Sequence, residues 1–135
     1  MVGLIERGIF CAAALAAGLV ATEALPCDLP PPETASVAAV LDGETLKLAD
    51  GRIVKLIGAK APVAPLGWRG DDPWPLVEEA KEALEALVAN KAVELRFGGS
   101  RTDRHGYLLA QVFAVGGDRP LWLQEELVAK GFARV

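Results

Sequence analysis

Apolar and polar positions alternate with two different periods along the chain. Ser36 to Leu41 has the character of a strand, and Asp42-Gly43 marks a tight turn. Thr45 to Leu48 continues extended, Asp50-Gly51 is a strong hairpin signal, and Arg52 to Ile57 answers as the return strand. These segments predict a three-stranded meander. Gly58 to Trp74 is irregular and rich in proline, and Pro75 suits the first turn of a helix. The period then changes: Leu76, Ala80, Ala83, Leu84 and Leu87 share one helical face, while Glu78, Glu79, Glu82 and Glu85 with Lys81 fall mostly on a solvated one. Asn90 is a plausible stop.

Val93 to Phe97 alternates again as a fourth strand, and Gly98 to Gly106 forms a loop. Leu108 to Val115 is a fifth strand, apolar enough to be buried on both sides. Gly116-Gly117-Asp118 turns the chain into a short helix, Leu121 to Lys130, closed by Gly131 as its C-cap. Five short strands, with a helix inserted after the third and a short C-terminal helix, predict a small closed β-barrel with helices. This α+β arrangement is of the oligonucleotide/oligosaccharide-binding (OB) type.

The N-terminal region follows other rules. An apolar run from Gly8 to Ala21 is short for a bilayer span and fits the core of a signal peptide. Thr22-Glu23-Ala24 offers a cleavage site with small residues. The expected organisation is a signal at 1–24, a Pro-rich linker at 25–34 and one domain at 35–135. The protein would then be exported to a periplasm or the outside, with no membrane span after cleavage. Cleavage would remove Cys11 and leave Cys27 without an internal partner. A lipid anchor at Cys27 is the competing arrangement, although Pro26 directly before it suits that signal badly.

Charge narrows the function classes. The chain carries 14 basic and 18 acidic residues, a formal net charge of −4. A dedicated nucleic-acid binder normally shows a basic excess, so charge does not support such a partner.

Three stretches carry a family resemblance: VLDGETLKLADGRIVKLIGAKAP (40–62), the helix with NKAVELRF (76–97), and TDRHGYLLAQVF with LVAKGFARV (102–113 and 127–135). In this order they resemble the staphylococcal-type thermonuclease family, which implies the same OB-type barrel. The resemblance also implies calcium-dependent hydrolysis of DNA and RNA. In such a site carboxylates hold the ion and direct a water, and two arginines neutralise the phosphate.

Residue by residue, the counterparts are altered. The family's turn reads Asp-Gly-Asp-Thr with the second Asp on calcium; here Asp42 and Gly43 are followed by Glu44. Lys55 stands for a phosphate-binding Arg, and a point charge cannot form the two-pronged contact. Lys60 stands for a second calcium-binding Asp, and Val63 for the water-directing Glu. Tyr107, which closes Asp103-Arg104-His105-Gly106-Tyr107, stands for the second phosphate-binding Arg. The expectation is a barrel that has lost hydrolysis and serves as an exported module for an unidentified ligand or protein. No cofactor is expected. Lys60 is expected to fill the former calcium space and pair with Asp42 or Glu44. The alternative is a weak or divergent nuclease or phosphodiesterase with calcium, in which Asp42, Glu44 and Asp103 assemble a new metal site and Arg101 or Arg104 replaces the lost arginines.

Other residues keep two readings. Asp42 and Glu44 are either a vestigial metal site or turn-forming acids. His105 has no visible catalytic partner and reads as a turn residue. Arg101, Arg104 and Arg119 would meet an anion or simply face solvent. Trp68, Arg69 and Trp74 border the former site, where the tryptophans would stack on a sugar or base, or cap the core beneath the loop. That loop could also be a protein-interaction surface.

Overall fold

The computed structural model describes residues 27–135. The elements, in chain order, are β1 (Glu33–Asp42), β2 (Thr45–Leu48), β3 (Ile53–Leu56), α1 (Val77–Val88), β4 (Ala92–Arg96), β5 (Leu108–Val115), β6 (Leu121–Trp122) and α2 (Leu123–Ala129). Hydrogen bonding runs β3-β2-β1-β4-β5-β6, and β3 also pairs with β5, so five strands close into an OB-like barrel. The closing pair is parallel, with Val54 opposite Leu108, Lys55 opposite Leu109 and Leu56 opposite Ala110. β1 is long enough to serve two sheet neighbours. Glu33–Ser36 pair with β4, and Val37–Asp42 pair with β2 across irregularities in register. The strand therefore starts at Glu33 rather than Ser36 and takes the last residues of the expected linker into the sheet.

Side-chain alternation places one face of each strand inside. Leu46, Leu48, Val54, Leu56, Val93, Leu95, Leu108, Ala110, Val112 and Ala114 are buried there. Leu84, Leu87 and Val88 of α1, with Leu123 and Leu127 of α2, join the same cluster. Fully burying a leucine of this kind contributes about 1.5–3 kcal/mol.

Four expectations need correction. β5 is not buried on both sides: its burial alternates, with Leu109, Gln111, Phe113 and Val115 only half-buried on the outer face. That face is partly covered by its neighbours. Trp122 stacks on Phe113 at 6.1 Å, and the Arg96 guanidinium lies 4.0 Å from the centre of the Phe113 ring. The last helix begins at Leu123 rather than Leu121, because Leu121 and Trp122 pair with Ala114 and Phe113 as β6. α1 begins at Val77, so Pro75 lies before the helix and not in its first turn. Leu76 precedes the helix with φ 67°, and its side chain is exposed rather than on the buried face. Asn90 adopts φ 56° just past α1, as a stop residue does. Glu78, Glu79, Glu82 and Glu85 are all exposed.

Two local devices position the site. The turn between β1 and β2 is pressed against its surroundings: a Cβ on Gly43 would lie 2.8 Å from the Ala61 Cβ and 2.9 Å from the Ala80 Cβ. Only glycine lets the turn approach the 60s loop and α1 this closely. At the other end, Gly131 follows α2 with φ 79°. The Phe132 N–H donates to the Leu127 carbonyl (2.8 Å) and the Gly131 N–H to that of Val128 (3.1 Å). This is a Schellman cap, and it turns the C-terminal tail back towards the 60s loop.

The segment 1–24, with the expected signal and Cys11, lies outside the described residues. Among the described residues no helix is long and apolar enough to cross a membrane, and Cys27 is a free, exposed thiol.

Candidate functional site

The turn after β1 brings two carboxylates forward, and they do different things. Asp42 accepts the backbone N–H of Glu44 on Oδ1 at 2.8 Å, the contact of a turn-forming acid. The Glu44 carboxylate reaches across to the 60s loop instead. Its Oε1 accepts from Lys60 Nζ at 2.6 Å, and its Oε2 accepts from the Ala61 N–H at 2.7 Å. The Glu44 side chain is only 12% exposed, whereas that of Lys60 is 53% exposed. One end of the ion pair is thus set into the protein and the other faces water. The expected pairing of Lys60 is with Glu44, not Asp42.

This geometry bears directly on calcium. A hard divalent cation needs several oxygen ligands free to turn towards it. Both Glu44 oxygens are engaged, and the ammonium group of Lys60 stands against one of them. The donor set of this chain does not suit the ion. Among the described residues no group of three or more His, Cys, Asp or Glu side chains could hold a metal ion, so Asp42, Glu44 and Asp103 do not assemble one.

Lys55 and Tyr107 meet at a second point. The β3–β5 pairing carries Lys55 alongside the start of β5, and its Nζ lies 5.6 Å from the centre of the Tyr107 ring. That is within the reach of a cation–π contact. Asp103 organises the adjoining turn: its Oδ1 accepts the N–H groups of His105 (2.8 Å) and Tyr107 (3.0 Å). Desolvation pushes the Asp103 carboxyl upward. The Tyr107 and His105 N–H groups, with the charge of Lys55, outweigh this and hold it below the ordinary aspartate value. His105 is a turn residue whose Nε2 accepts from Arg104 Nε at 3.1 Å.

The remaining candidates are dispersed. Arg101 leaves any anion site: it pairs with Glu33 at 2.6 Å and stacks over Phe97 at 4.1 Å. Trp68 and Trp74 pack on each other edge to face at 4.9 Å, and the Trp68 indole N–H donates to the Asp72 carbonyl at 3.3 Å. Neither joins the barrel core, so they do not cap it. Trp68 stays 47% exposed, and Arg69 is exposed beside it. Val63 is 61% exposed. It lines a cleft of about 370 Å³ with Lys60, Ala61, Pro62, Gly131, Ala133 and Arg134.

Two residues of consequence escape sequence reading. Arg134 enters the cleft because the α2 cap returns the tail to Lys60. Gln124 is buried and bonds β5, with its Oε1 accepting from the Val112 N–H (3.1 Å) and its Nε2 donating to the Ala110 carbonyl (3.0 Å). The β3 pairing ends at Ala110 and the β6 pairing begins at Phe113, so Gln124 fills the gap in the ladder. A glutamine in an amphipathic helix carries no signal of that task.

Comparison with protein-family models and with curated proteins finds no match for the chain.

Proposed function

We propose that this chain is an exported OB-type barrel, similar to thermonucleases, that no longer hydrolyses phosphodiesters and acts as a binding module. One observation carries the reading: the Glu44 carboxylate is closed by Lys60 Nζ and the Ala61 N–H. The other substitutions support it. Val63 has no group to direct a water, and Tyr107 offers no fixed positive charge to a phosphate. Loss of one positioned transition-state donor typically costs about 10²–10³ in rate, and loss of a key arginine about 10³–10⁵. Export rests on the apolar run from Gly8 to Ala21.

The test is cleavage of single-stranded DNA and RNA by the purified protein, with calcium and then with chelator. No cleavage is expected. Restoring the family residues (Glu44→Asp, Lys55→Arg, Lys60→Asp, Val63→Glu, Tyr107→Arg) in a variant shown to be folded by circular dichroism should produce calcium-dependent activity. Calcium-dependent cleavage by the unaltered protein, abolished by Glu44→Ala, would establish the divergent phosphodiesterase instead.

A further inference from the structure

The cleft beside the 60s loop has an unusual charge arrangement for an acidic protein. Its seven lining residues include two charged side chains, Lys60 and Arg134, and both are basic. They are also direct partners in an antiparallel bridge. The Lys60 N–H donates to the Arg134 carbonyl at 2.7 Å, and the Arg134 N–H donates back to the Lys60 carbonyl at 3.0 Å. Residues paired in this way project their side chains from the same face, with Cβ atoms about 5 Å apart. Like charges directly opposite each other are destabilising, so this pair calls for negative charge.

Only half of that charge is supplied. Glu44 neutralises Lys60 through Oε1. Arg134 takes part in no ion pair among the described residues. The Lys60 ammonium has three donors, of which one goes to Glu44, and the guanidinium has five. Pro62, Val63 and Ala133 give the cleft apolar walls. The substitutions that spoil the loop for a cation therefore favour the opposite charge: a cation stands at position 60, and no carboxylate stands at position 63.

We infer that this cleft binds a small organic oxyanion, held by Lys60 and Arg134 with its apolar part against Pro62, Val63 and Ala133. The shared chemistry is a compact anionic oxygen cluster, as in a phosphate monoester or a carboxylate. This names a ligand class for the binding module and rests on that reading only for the idea that the loop binds rather than catalyses.

The experiment is a ¹H–¹⁵N NMR titration of the purified protein with phenyl phosphate and, separately, sodium hexanoate, at constant ionic strength. Saturable shifts centred on amides 60–63 and 131–134 are expected with at least one probe. Tighter binding of phenyl phosphate assigns the site to phosphate monoesters, and tighter binding of hexanoate assigns it to carboxylates. Arg134→Gln should weaken binding about tenfold or more, the fold-change for losing a hydrogen bond to a charged group. Only the backbone of Arg134 joins the bridge, so this variant should melt like the wild type. Non-saturable shifts with both probes, or equal binding by Arg134→Gln, would overturn the site. Neither result bears on hydrolysis, which the cleavage assay decides separately.

Discussion

Replacing Glu44 by alanine and Lys60 by methionine, singly and together, tests whether the Glu44 contact to the loop backbone outweighs the ion pair. Glu44→Ala removes both acceptors and leaves the N–H of Ala61, a residue only 5% exposed, without its partner. A hydrogen bond to a charged group is worth about 1.5–3 kcal/mol, and orphaning a buried donor costs a similar amount. Lys60→Met removes an ammonium that already faces water, so solvent can take its place at Oε1. Exposed ion pairs contribute about 0–1 kcal/mol. The expected costs are therefore about 2–3 kcal/mol for Glu44→Ala and less than about 1 kcal/mol for Lys60→Met. The coupling between them should also be below about 1 kcal/mol. For a domain of this size, 1 kcal/mol moves Tm by about 4–8 °C, so thermal unfolding followed by circular dichroism resolves the difference. Urea denaturation gives the free energies. Glu44→Gln, which keeps an acceptor for Ala61, should recover part of the loss. Equal costs for the two single variants, or a coupling above about 2 kcal/mol, would show that the ion pair dominates and refute the reasoning.

Two further outcomes follow from other contacts. Gln124→Ala should cost about 2–4 kcal/mol in urea denaturation, since it opens space in the core and orphans the Val112 N–H, while the Ala110 carbonyl keeps only its bond from the Ile57 N–H. A stability equal to wild type would mean that β5 closes its ladder without this side chain. Glu33 is held below the ordinary carboxylate value of 4.5, chiefly by its hydrogen bond from Arg52 and, against some desolvation, by Arg101. A depressed folded value contributes stability above the unfolded value and loses it as the pH falls through the folded one. Wild-type stability should thus drop between about pH 5 and pH 3, and Glu33→Gln should drop less over that range. Parallel acid limbs for the two proteins, measured by urea denaturation at each pH, would discount the bridge.

The barrel was legible in the sequence because its signals are local. Asp50-Gly51 sets a hairpin whatever surrounds it, alternation in Thr45–Leu48 and Val93–Phe97 marks the face turned inward, and Gly131 ends a helix through its own φ. The side chains at 44, 55, 60, 63 and 107 were legible for the same reason, since side-chain chemistry is written at each position. The boundaries that misled were decided by partners. Leu121 and Trp122 have helical spacing, yet Phe113 and Ala114 offered a strand edge that took them. The outer face of β5 is as apolar as a buried one, but the barrel has only one interior.

The site divides along the same line. Sequence determined that a cation stands at position 60 and that carboxylates stand at 42 and 44. Only tertiary structure decided which carboxylate Lys60 meets: the close approach at Gly43 sets Glu44 against the loop, while Asp42 turns back to its own backbone. It also placed Arg134 beside Lys60, residues far apart along the chain that share one bridge because the cap at Gly131 redirects the tail. Local backbone preference is written in a few neighbouring residues. Contact between distant charges depends on chain reversals and on the space left by a missing Cβ, and that information exists only once the barrel has closed.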